Sequence, residues 1–190
     1  GAECEPYLTC DYRVMVERSK QIAAGFQIAL KSLNVKRGIV GIEDNKPQAI
    51  EIMTKAFEGT GVEVVPLETK YPQGAERMFI KALTGREIPA GGRHFNIGIV
   101  GLNVGTVNSL YEAVVHGIPV FEKVVTITGD AIAEPKNVMT RIGTSFKDLV
   151  DFCGGFSKTP EKIINGGPMM GYAQSSLDIP VVKGVAGISV

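Results

Sequence analysis

The sequence predicts an α/β fold in which a parallel-sheet unit is followed by a smaller, mainly antiparallel α+β unit. Short apolar runs at residues 38–42 and 62–67 predict two buried strands, and a segment of helical periodicity, residues 47–57, joins them. A strand, a helix and a strand in this order form the unit of a parallel sheet. After residue 120 the pattern changes to β-branched segments, turns and one short helix, which indicates a ββαβ arrangement.

The first predicted element is one long helix over residues 11–33, where apolar side chains recur at helical spacing opposite charged ones. Asn34 is expected to end this helix. Asp44 and Asn45 are expected to cap the helix between the two strands, and Pro47 suits its first turn.

Three further elements are expected before the change of pattern. A short helix follows the loop at residues 71–74, a third strand covers residues 95–100, and another helix follows the candidate caps Asn103 and Thr106. Gly117 is expected just past the end of that helix, because glycine readily adopts the left-handed conformation found there. The side chains expected on the buried face of this helix are Val107, Leu110, Tyr111, Val114 and Val115.

The antiparallel unit is expected to begin with a strand at residues 120–130 that pairs with residues 138–142 as a hairpin. Ser145 with Asp148 three residues later resembles a capping box, which predicts a short helix running through Cys153. The remaining expected elements, in chain order, are a strand at 162–164, a tight loop at 166–171 and short strands at 181–182 and 186–188.

Composition narrows the classes of protein to which the chain can belong. Its 190 residues are 44% hydrophobic, which is enough for a sizeable core. Lys+Arg number 20 and Asp+Glu number 20, so the formal net charge is zero, which argues against a nucleic-acid partner. Three cysteines without a C-x-x-C pair indicate a reducing compartment rather than a disulfide scaffold. No apolar run approaches the roughly 18 residues that a membrane span needs.

Two carboxylates near the amino terminus are candidate ligand contacts. Glu3 and Glu5 lie two residues apart in an extended segment, so both side chains point the same way and can accept hydrogen bonds from ribose hydroxyls or ring N–H groups. The alternative is a charged, frayed chain end, and the segment taken alone favours that alternative. Cys4 differs from the other cysteines because it lies between the two glutamates.

Two helix starts are also candidates for ligand binding. Gly74 directly precedes a helix, which permits close approach of a ligand to the backbone. The alternative is an ordinary helix start with Glu76 in its first turn, and the two interpretations are equally supported. Asn103 and Thr106 lie at a helix start where open α/β sheets bind nucleotides, and that position favours ligand contact over a helix cap alone.

Other reactive residue types favour ordinary structural roles. The cysteines lack metal-ligand spacing, and Cys153 lies on an apolar helix face, as core residues do. His94 and His116 are isolated in the sequence and favour surface or capping positions over catalysis. No residue is therefore assigned as a catalyst or as a metal ligand.

Six stretches of the chain, in a fixed order, resemble the C subunit of the Rnf electron transport complex, the ferredoxin–NAD oxidoreductase family that is also described as ion-translocating. The resemblance runs over essentially the whole chain, and six motifs in order are far more specific than any one alone. The stretches are AECEPYLTCD at 2–11, KYPQGAER at 70–77, LTGREIP at 83–89, NVGTV at 103–107, VTITG at 125–129 and NGGPMMG at 165–171.

This family is similar to the FMN- and NADH-binding subunit of respiratory complex I. The resemblance implies a Rossmann-like FMN/NADH-binding domain over residues 1–120, with its amino-terminal part missing, and a small β-grasp domain of the soluble-ligand-binding (SLBB) type over residues 121–190. The residues that it assigns to FMN are Glu3 and Cys4 at the isoalloxazine ring, Gly74 at the flavin face, and Asn103 and Thr106 at the phosphate. The residues that it assigns to NADH are Glu5 and Glu76.

The resemblance implies part of a ferredoxin:NAD oxidoreductase that exchanges electrons between NAD(H), FMN and iron–sulfur clusters, coupled in the whole complex to ion transport across a membrane. The implied partners are the other Rnf subunits, NADH and, indirectly, ferredoxin. The implied location is peripheral, on the cytoplasmic side of the bacterial inner membrane, with this chain itself soluble.

The chain departs from the family pattern in three places. It lacks the glycine-rich flavin loop expected upstream and the cysteine-rich segment expected downstream, which would hold two 4Fe–4S clusters. Gly105 also stands where the complex I relative carries an acidic residue. We therefore expect a piece of a longer protein, beginning within a site at residues 2–11, that is inactive on its own.

A second function stays open from the sequence: a non-catalytic β-grasp module that binds a ligand or docks a partner chain, with the Rossmann-like half as its support. The carboxylate pair Glu3 and Glu5 distinguishes the two hypotheses. A docking domain does not require these carboxylates together with Gly74 and Asn103, whereas a flavin and NADH site does.

Overall fold

The computed structural model describes all 190 residues, and these divide into two compact units. The first unit contains residues 1–4 and 14–119, and the second contains residues 5–13 and 120–190. The short segment 5–13 thus belongs with the second unit, although it precedes the strands of the first. The expected division into domains at residues 120 and 121 stays a prediction.

The first helical region consists of two helices, α1 (Cys10–Glu17) and α2 (Ser19–Leu33), so the prediction of one helix over residues 11–33 is wrong. The break lies at Arg18, whose backbone leaves the helical conformation at φ −127° and ψ 30°. Asn34 ends α2 in a left-handed conformation, as expected.

The parallel sheet of the first unit has two strands, β1 (Gly38–Glu43) and β2 (Val62–Leu67). They pair in parallel over their whole length, from Gly38 opposite Val62 to Glu43 opposite Leu67. The connection is α3 (Pro47–Ala56), which has Pro47 in its first turn. The expected strand–helix–strand unit is therefore confirmed.

The side-chain cap expected for α3 is wrong. Lys46 occupies the N-cap position, and its side chain makes no capping hydrogen bond. Asp44 instead accepts hydrogen bonds from the backbone N–H and the hydroxyl of Thr69, at 3.1 Å and 2.5 Å, and Asn45 donates its N–H to the same hydroxyl oxygen at 3.2 Å. These residues join the loops that follow β1 and β2, a pairing that a local capping rule does not anticipate.

The third strand expected at residues 95–100 is absent, and that prediction is wrong. The chain forms a 3₁₀ turn at His94–Ile97 and then an irregular stretch. The Asn96 side chain accepts a hydrogen bond from the N–H of Arg93 at 2.7 Å, and Gly98 takes up a left-handed conformation at φ 69°. These local features turn the chain where a strand would have to stay extended.

Two more helices complete the first unit, α4 (Glu76–Thr84) and α5 (Val104–His116). Asn103 caps α5, since its side chain accepts a hydrogen bond from the N–H of Gly105. Gly117 ends α5 in a left-handed conformation. The expected ends at Asn103 and Gly117 are confirmed, whereas Thr106, the other expected cap, lies inside the first turn of the helix.

The packing of α5 within its unit is concentrated near its start. Val107 is buried, whereas Val114 and Val115 are 59% and 51% exposed, so their expected place on the buried face is wrong. The contact with α2 lies nearer the start of α5, where a Cβ atom on Gly25 would overlap with the carbonyl oxygen of Val107. The two helices meet at this glycine, and the last turns of α5 stay open.

The second unit is a five-stranded mixed sheet with one helix, α6 (Phe146–Phe152). Its strands are β3 (Glu122–Thr128), β4 (Lys136–Arg141), β5 (Ile163–Asn165), β6 (Tyr172–Gln174) and β7 (Gly187–Ser189). Their spatial order is β4-β3-β7-β5-β6, and all neighbours are antiparallel except β3 and β7, which are parallel.

Most of the elements expected in this unit are confirmed. The β3–β4 hairpin is present, and the Ser145 hydroxyl caps α6 by accepting the N–H of Asp148 at 3.0 Å. β6 is an addition, and the strand expected at residues 181–182 is absent because Val181 donates its N–H to the carbonyl of Thr144 outside the sheet. The α/β fold with a parallel-sheet unit and a separate mixed sheet is therefore confirmed.

The core of the second unit joins its central strands to α6. Val125, Phe146 and Ile188 have no solvent exposure, and Cys153 is fully buried in the same cluster, as expected. Burial of each large apolar side chain contributes about 1.5–3 kcal/mol. None of the helices in the chain has the length and apolar character that crossing a membrane requires.

Candidate functional site

The carboxyl edge of the parallel sheet in the first unit is held by a polar connection between two loops. Asp44 follows β1 and Thr69 follows β2, and their hydrogen bonds tie the loops together. The Thr69 hydroxyl holds the pKa of Asp44 below the usual value for an aspartate, with smaller contributions from backbone N–H groups. Open α/β sheets bind ligands at this edge, so a fixed loop geometry here favours a site.

The same edge carries a buried acid that is neutralised locally. Glu43, the last residue of β1, is 1% exposed, and its carboxylate lies 3.1 Å from the Nζ atom of Lys46. Lys46 also donates to the side-chain oxygen of Asn45 at 3.0 Å. Because both partners of the ion pair are largely buried and satisfied, this pair has a structural role.

Gly74 lies against the amino-terminal segment of its own unit. A Cβ atom on Gly74 would overlap with the carbonyl oxygen of Ala2 and would lie 3.1 Å from the Sγ atom of Cys4. Glycine is therefore required for this approach. The structure brings Gly74 and Cys4 together, two residues that the family resemblance assigned to the flavin, and Glu3 is half-buried in the same segment.

Glu76 lies in the first turn of α4 and is hydrogen-bonded through Oε1 to the Nδ1 atom of His94. The histidine side chain is 24% exposed and the glutamate side chain is 46% exposed, so the carboxylate still reaches solvent. His94 thus orients the side chain that the resemblance assigned to NADH. Sequence reasoning missed this role because the two residues lie 18 positions apart.

Arg77 holds the loop that precedes His94. Its guanidinium donates to the carbonyls of Ile88 and Gly92 at 2.8 Å and to that of Pro89 at 3.2 Å. Carbonyls presented in this way match the fixed fork of donors on arginine. The signal in the sequence is the stretch KYPQGAER itself, in which this arginine follows the candidate Glu76.

Asn103 and Thr106 lie together at the start of α5. The Asn103 side chain accepts the N–H of Gly105 at 2.7 Å, so it is a helix cap in this structure. Thr106 is exposed in the first turn, and a Cβ atom on Gly101 would meet no atom within 4 Å. The first N–H groups of a helix lack partners within the helix and favour an anion, although the N–H of Gly105 is already bonded to Asn103.

Glu5 belongs to the second unit and lies on its 166–171 loop. The Oε2 atom of Glu5 accepts the backbone N–H of Met169 at 3.1 Å. The Oε1 atom is buried and has no hydrogen-bond partner. A Cβ atom on Gly167 would overlap with Oε2 and lie 2.7 Å from Cδ of Glu5. The sequence alone did not indicate this contact, which joins residues 164 positions apart.

The segment around Glu5 is fastened to the sheet of the second unit by Leu8 and Thr9. Leu8 is 6% exposed and packs against Gly187 of β7. Thr9 donates its N–H to the Thr126 hydroxyl at 3.1 Å, and its own hydroxyl accepts from the Asn137 side chain at 2.8 Å. All three contacts join residues too far apart in the sequence for local patterns to predict them.

The cysteines are free thiols. Cys10 and Cys153 are buried, whereas Cys4 is half-buried. Burial raises the pKa of the Cys153 thiol, so this side chain stays protonated and acts as an apolar core residue.

Two families match the chain, one on each side of the change in sequence pattern. The Nuo51 FMN-binding domain matches residues 1–112, and the SLBB domain matches residues 124–173. The first match covers every residue that the resemblance assigned to FMN or NADH.

Curated relatives match the chain over nearly its whole length. The C subunit of the proton-translocating ferredoxin:NAD(+) oxidoreductase complex of Clostridium ljungdahlii is 63% identical over 188 residues, which cover 99% of this chain and 41% of that protein. The C subunit of the Na(+)-translocating ferredoxin:NAD(+) oxidoreductase complex of Acetobacterium woodii is 48% identical, with 99% and 43% covered. The C subunit of the ion-translocating oxidoreductase complex of Rhodobacter capsulatus is 44% identical, with 99% and 37% covered. The chain spans about two fifths of the length of these relatives.

A solved structure shares the fold. The crystal structure of an NAD+-reducing NiFe-hydrogenase in the air-oxidized state superposes with a TM-score of 0.75 at 16% identity, covering 97% of this chain and 38% of the hydrogenase chain. At this level of identity the likeness concerns the fold alone, and it agrees with the α/β class described above.

Proposed function

Because this chain belongs to the Nuo51 FMN-binding domain family, we propose that it forms part of the FMN- and NADH-binding region of an Rnf-type C subunit. The resemblance to that subunit, inferred from six stretches of sequence, is confirmed by relatives that are 63%, 48% and 44% identical. One observation of the structure supports the proposal for the site: Gly74 packs against Ala2 and Cys4, so two residues that the resemblance assigned to the flavin, Gly74 and Cys4, lie together.

The residues of the first unit fit FMN. Asn103 and Thr106 would hold its phosphate at the open start of α5, where the N–H groups and the helix dipole favour an anion. Glu3 and Cys4, in the segment that packs against Gly74, would line the ring. When bound, FMN supplies a ring that takes up a hydride and releases electrons one at a time.

The residues proposed for NADH are two carboxylates. Glu76 is oriented by His94 and keeps its carboxylate accessible. Glu5 is oriented by the 166–171 loop. Carboxylates accept hydrogen bonds from ribose hydroxyls, which is the contact that this class of nucleotide commonly makes with acidic residues. No residue need act as an acid or a base, since these side chains only bind and orient.

In the whole protein we place this region in an enzyme, as part of a ferredoxin:NAD oxidoreductase that exchanges electrons between NAD(H), FMN and iron–sulfur clusters, with ion transport driven by the complex. The names of the relatives support this assignment. Two 4Fe–4S clusters would lie in parts of the relatives that this chain does not span. The proposed partners are the other subunits of the complex and, indirectly, ferredoxin, and the proposed location is the cytoplasmic face of the bacterial inner membrane.

A second function, docking without redox chemistry, has one observation in its favour. Met169, Met170 and Tyr172 in the second unit are 56%, 69% and 77% exposed, at the edge strand β6 and the loop before it. Large apolar side chains exposed at a sheet edge are typical of contact surfaces. This function predicts a β-grasp unit that binds a partner chain and a first unit that binds no flavin.

FMN titration followed by flavin fluorescence separates the two functions. The experiment compares this chain with a longer chain that extends to the full length of the relatives. Saturable binding by the longer chain supports the proposed function, and binding by the longer chain alone means that this chain carries part of a site. Binding by neither contradicts the proposal and favours the docking module.

Thr106→Val in the longer chain tests the phosphate contact. The change removes a hydroxyl and keeps the shape of the side chain, so FMN should bind more weakly by roughly 1–3 kcal/mol, or about 5- to 150-fold. Thr54→Val, at an exposed position of α3, is the matched control and should leave FMN affinity unchanged. Equal FMN affinity in wild type and Thr106→Val would contradict the proposed contact between Thr106 and the phosphate.

A further inference from the structure

The 166–171 loop of the second unit is firmly anchored. Gly166 donates its N–H to the carbonyl of Gly187 in β7 at 2.7 Å, and the buried hydroxyl of Ser189 donates to the carbonyl of Gly166 at 2.8 Å. Gly171 closes the loop by donating its N–H to the carbonyl of Gly167 at 2.9 Å. The backbone between these bonds is therefore held in one conformation.

This anchored loop presents two features to the side chain of Glu5. The N–H of Met169 donates to Oε2 at 3.1 Å. The α-carbon of Gly167 faces the glutamate so closely that an added Cβ atom would lie 2.9 Å from Cβ of Glu5 and 2.7 Å from its Cδ. The donor fixes one carboxylate oxygen, and the absent side chain makes the room that the glutamate occupies.

The other carboxylate oxygen is left without a partner. Oε1 of Glu5 is buried and accepts no hydrogen bond from the protein. Leaving a buried carboxylate oxygen unpaired is unfavourable, so a contact that served stability alone would be expected to supply a second donor. The loop therefore holds the carboxylate through Oε2 alone, and Oε1 can meet a ligand O–H or N–H group only after the atoms that cover it move.

We propose that the 166–171 loop is the positioning element for Glu5 in nicotinamide nucleotide binding, with the N–H of Met169 holding Oε2 and with Gly167 making room for the glutamate side chain. The inference rests on the proposed function, because it takes Glu5 as a residue that binds NADH. It goes beyond that function by naming the backbone atoms of the second unit that hold the Glu5 side chain.

Gly167→Ala in the full-length protein is the direct test. Gly167 has no left-handed conformation to preserve, and the new Cβ would overlap with Oε2, Cδ and Cβ of Glu5, so the glutamate side chain has to move. The expected result is an NADH dissociation constant about tenfold higher, which corresponds to about 1.4 kcal/mol, with unchanged FMN content. Gly184→Ala, where a Cβ meets nothing within 4 Å, is the matched control and should change neither quantity.

A double-mutant cycle separates the inference from the proposed function. NADH dissociation constants are measured by fluorescence titration for wild type, Glu5→Ala, Gly167→Ala and the double variant. If Gly167 acts through Glu5, Gly167→Ala should have no further effect once Glu5 is alanine. Unchanged NADH affinity in Glu5→Ala would remove Glu5 from the nucleotide site and with it this part of the proposed function.

Two other outcomes would overturn the inference alone. One is a weaker NADH affinity in Glu5→Ala but not in Gly167→Ala, and the other is additive effects of the two changes. Ser189→Ala provides a second route if Gly167→Ala does not fold, because it removes one of the two hydrogen bonds between Gly166 and β7 without touching Glu5. Ser189→Ala should raise the NADH dissociation constant about threefold with unchanged FMN content. An unchanged dissociation constant would contradict the proposal that the 166–171 loop positions Glu5.

Discussion

Single polar side chains hold the edges of the candidate site in the first unit. The Asp44 carboxylate receives the hydroxyl and the N–H of Thr69 and so connects the loops after β1 and β2. These hydrogen bonds favour the ionised carboxylate, with the Thr69 hydroxyl as the largest cause, and they keep the pKa of Asp44 low. The ionised carboxylate of Asp44 therefore contributes to the loop geometry at this edge, together with the hydrogen bond from the N–H of Asn45 to the Thr69 hydroxyl.

Thr69→Val should raise the pKa of Asp44 toward the ordinary aspartate value, which carboxyl NMR titration measures. Because the folded pKa lies below the unfolded one, the pair stabilises the fold above the unfolded pKa, about 3.9, and this stabilisation is lost as pH falls through the folded pKa. The variant should lose less stability across that acid range than wild type. An unchanged pKa of Asp44 in Thr69→Val would mean that backbone N–H groups cause the lowered pKa. Thr54→Val is the control and should leave the pKa of Asp44 unchanged.

At the scale of the secondary-structure elements, one close contact sets how α2 and α5 pack. Gly25 of α2 lies against the carbonyl of Val107, and an added Cβ would also lie 3.2 Å from Cβ of Tyr111. Small residues at such crossings let two helix backbones approach closely. The start of α5, which carries Asn103 and Thr106, is held by this contact.

Gly25→Ala should destabilise the protein even though alanine is the better helix former by about 1 kcal/mol. Overlap with helix backbone cannot be relieved by rotating a side chain, so the net cost should be about 1–3 kcal/mol in urea unfolding. Ser32→Ala, at an exposed position of the same helix, should be neutral or slightly stabilising. A Gly25→Ala protein more stable than wild type would show that the helices do not pack as described.

Over the whole molecule, the chain enters the second unit twice. Residues 5–13 join it before the first unit is complete, and residues 120–190 supply the rest. Leu8 is the apolar anchor of the early segment, buried against Gly187 of β7. The second unit therefore needs sequence from both sides of the first.

Leu8→Ala should destabilise the second unit by about 2–4 kcal/mol, because it removes a buried side chain from beside β7. In hydrogen-exchange mass spectrometry, β3 and β7 should lose protection while β1 and β2 keep theirs. Tyr7→Ala, at a neighbouring residue that is 73% exposed, is the control and should change little. Equal loss of protection in both units would contradict the assignment of residues 5–13 to the second.

Local sequence patterns predicted much of the fold correctly. β1, α3 and β2 were predicted correctly because apolar runs and helical periodicity lie within each element. The prediction at residues 95–100 failed because the Asn96 side chain and Gly98 turn the chain there, and apolar content alone does not reveal a turn. The apolar periodicity continues through Arg18 and therefore predicted a single helix. The backbone interrupts the helix at this residue, and no glycine or proline marks the break in the sequence.

The family and the identity of the expected site residues followed from the sequence, because motif order and spacing are properties of the chain alone. The tertiary contacts of these site residues did not follow from the sequence. That Gly74 touches Cys4, that Glu76 bonds His94, and that Glu5 lies on the loop at Gly167 are results of tertiary packing. Contacts between residues so distant along the chain depend on how buried surfaces fit together, and no local rule of hydrophobic spacing or capping encodes that fit.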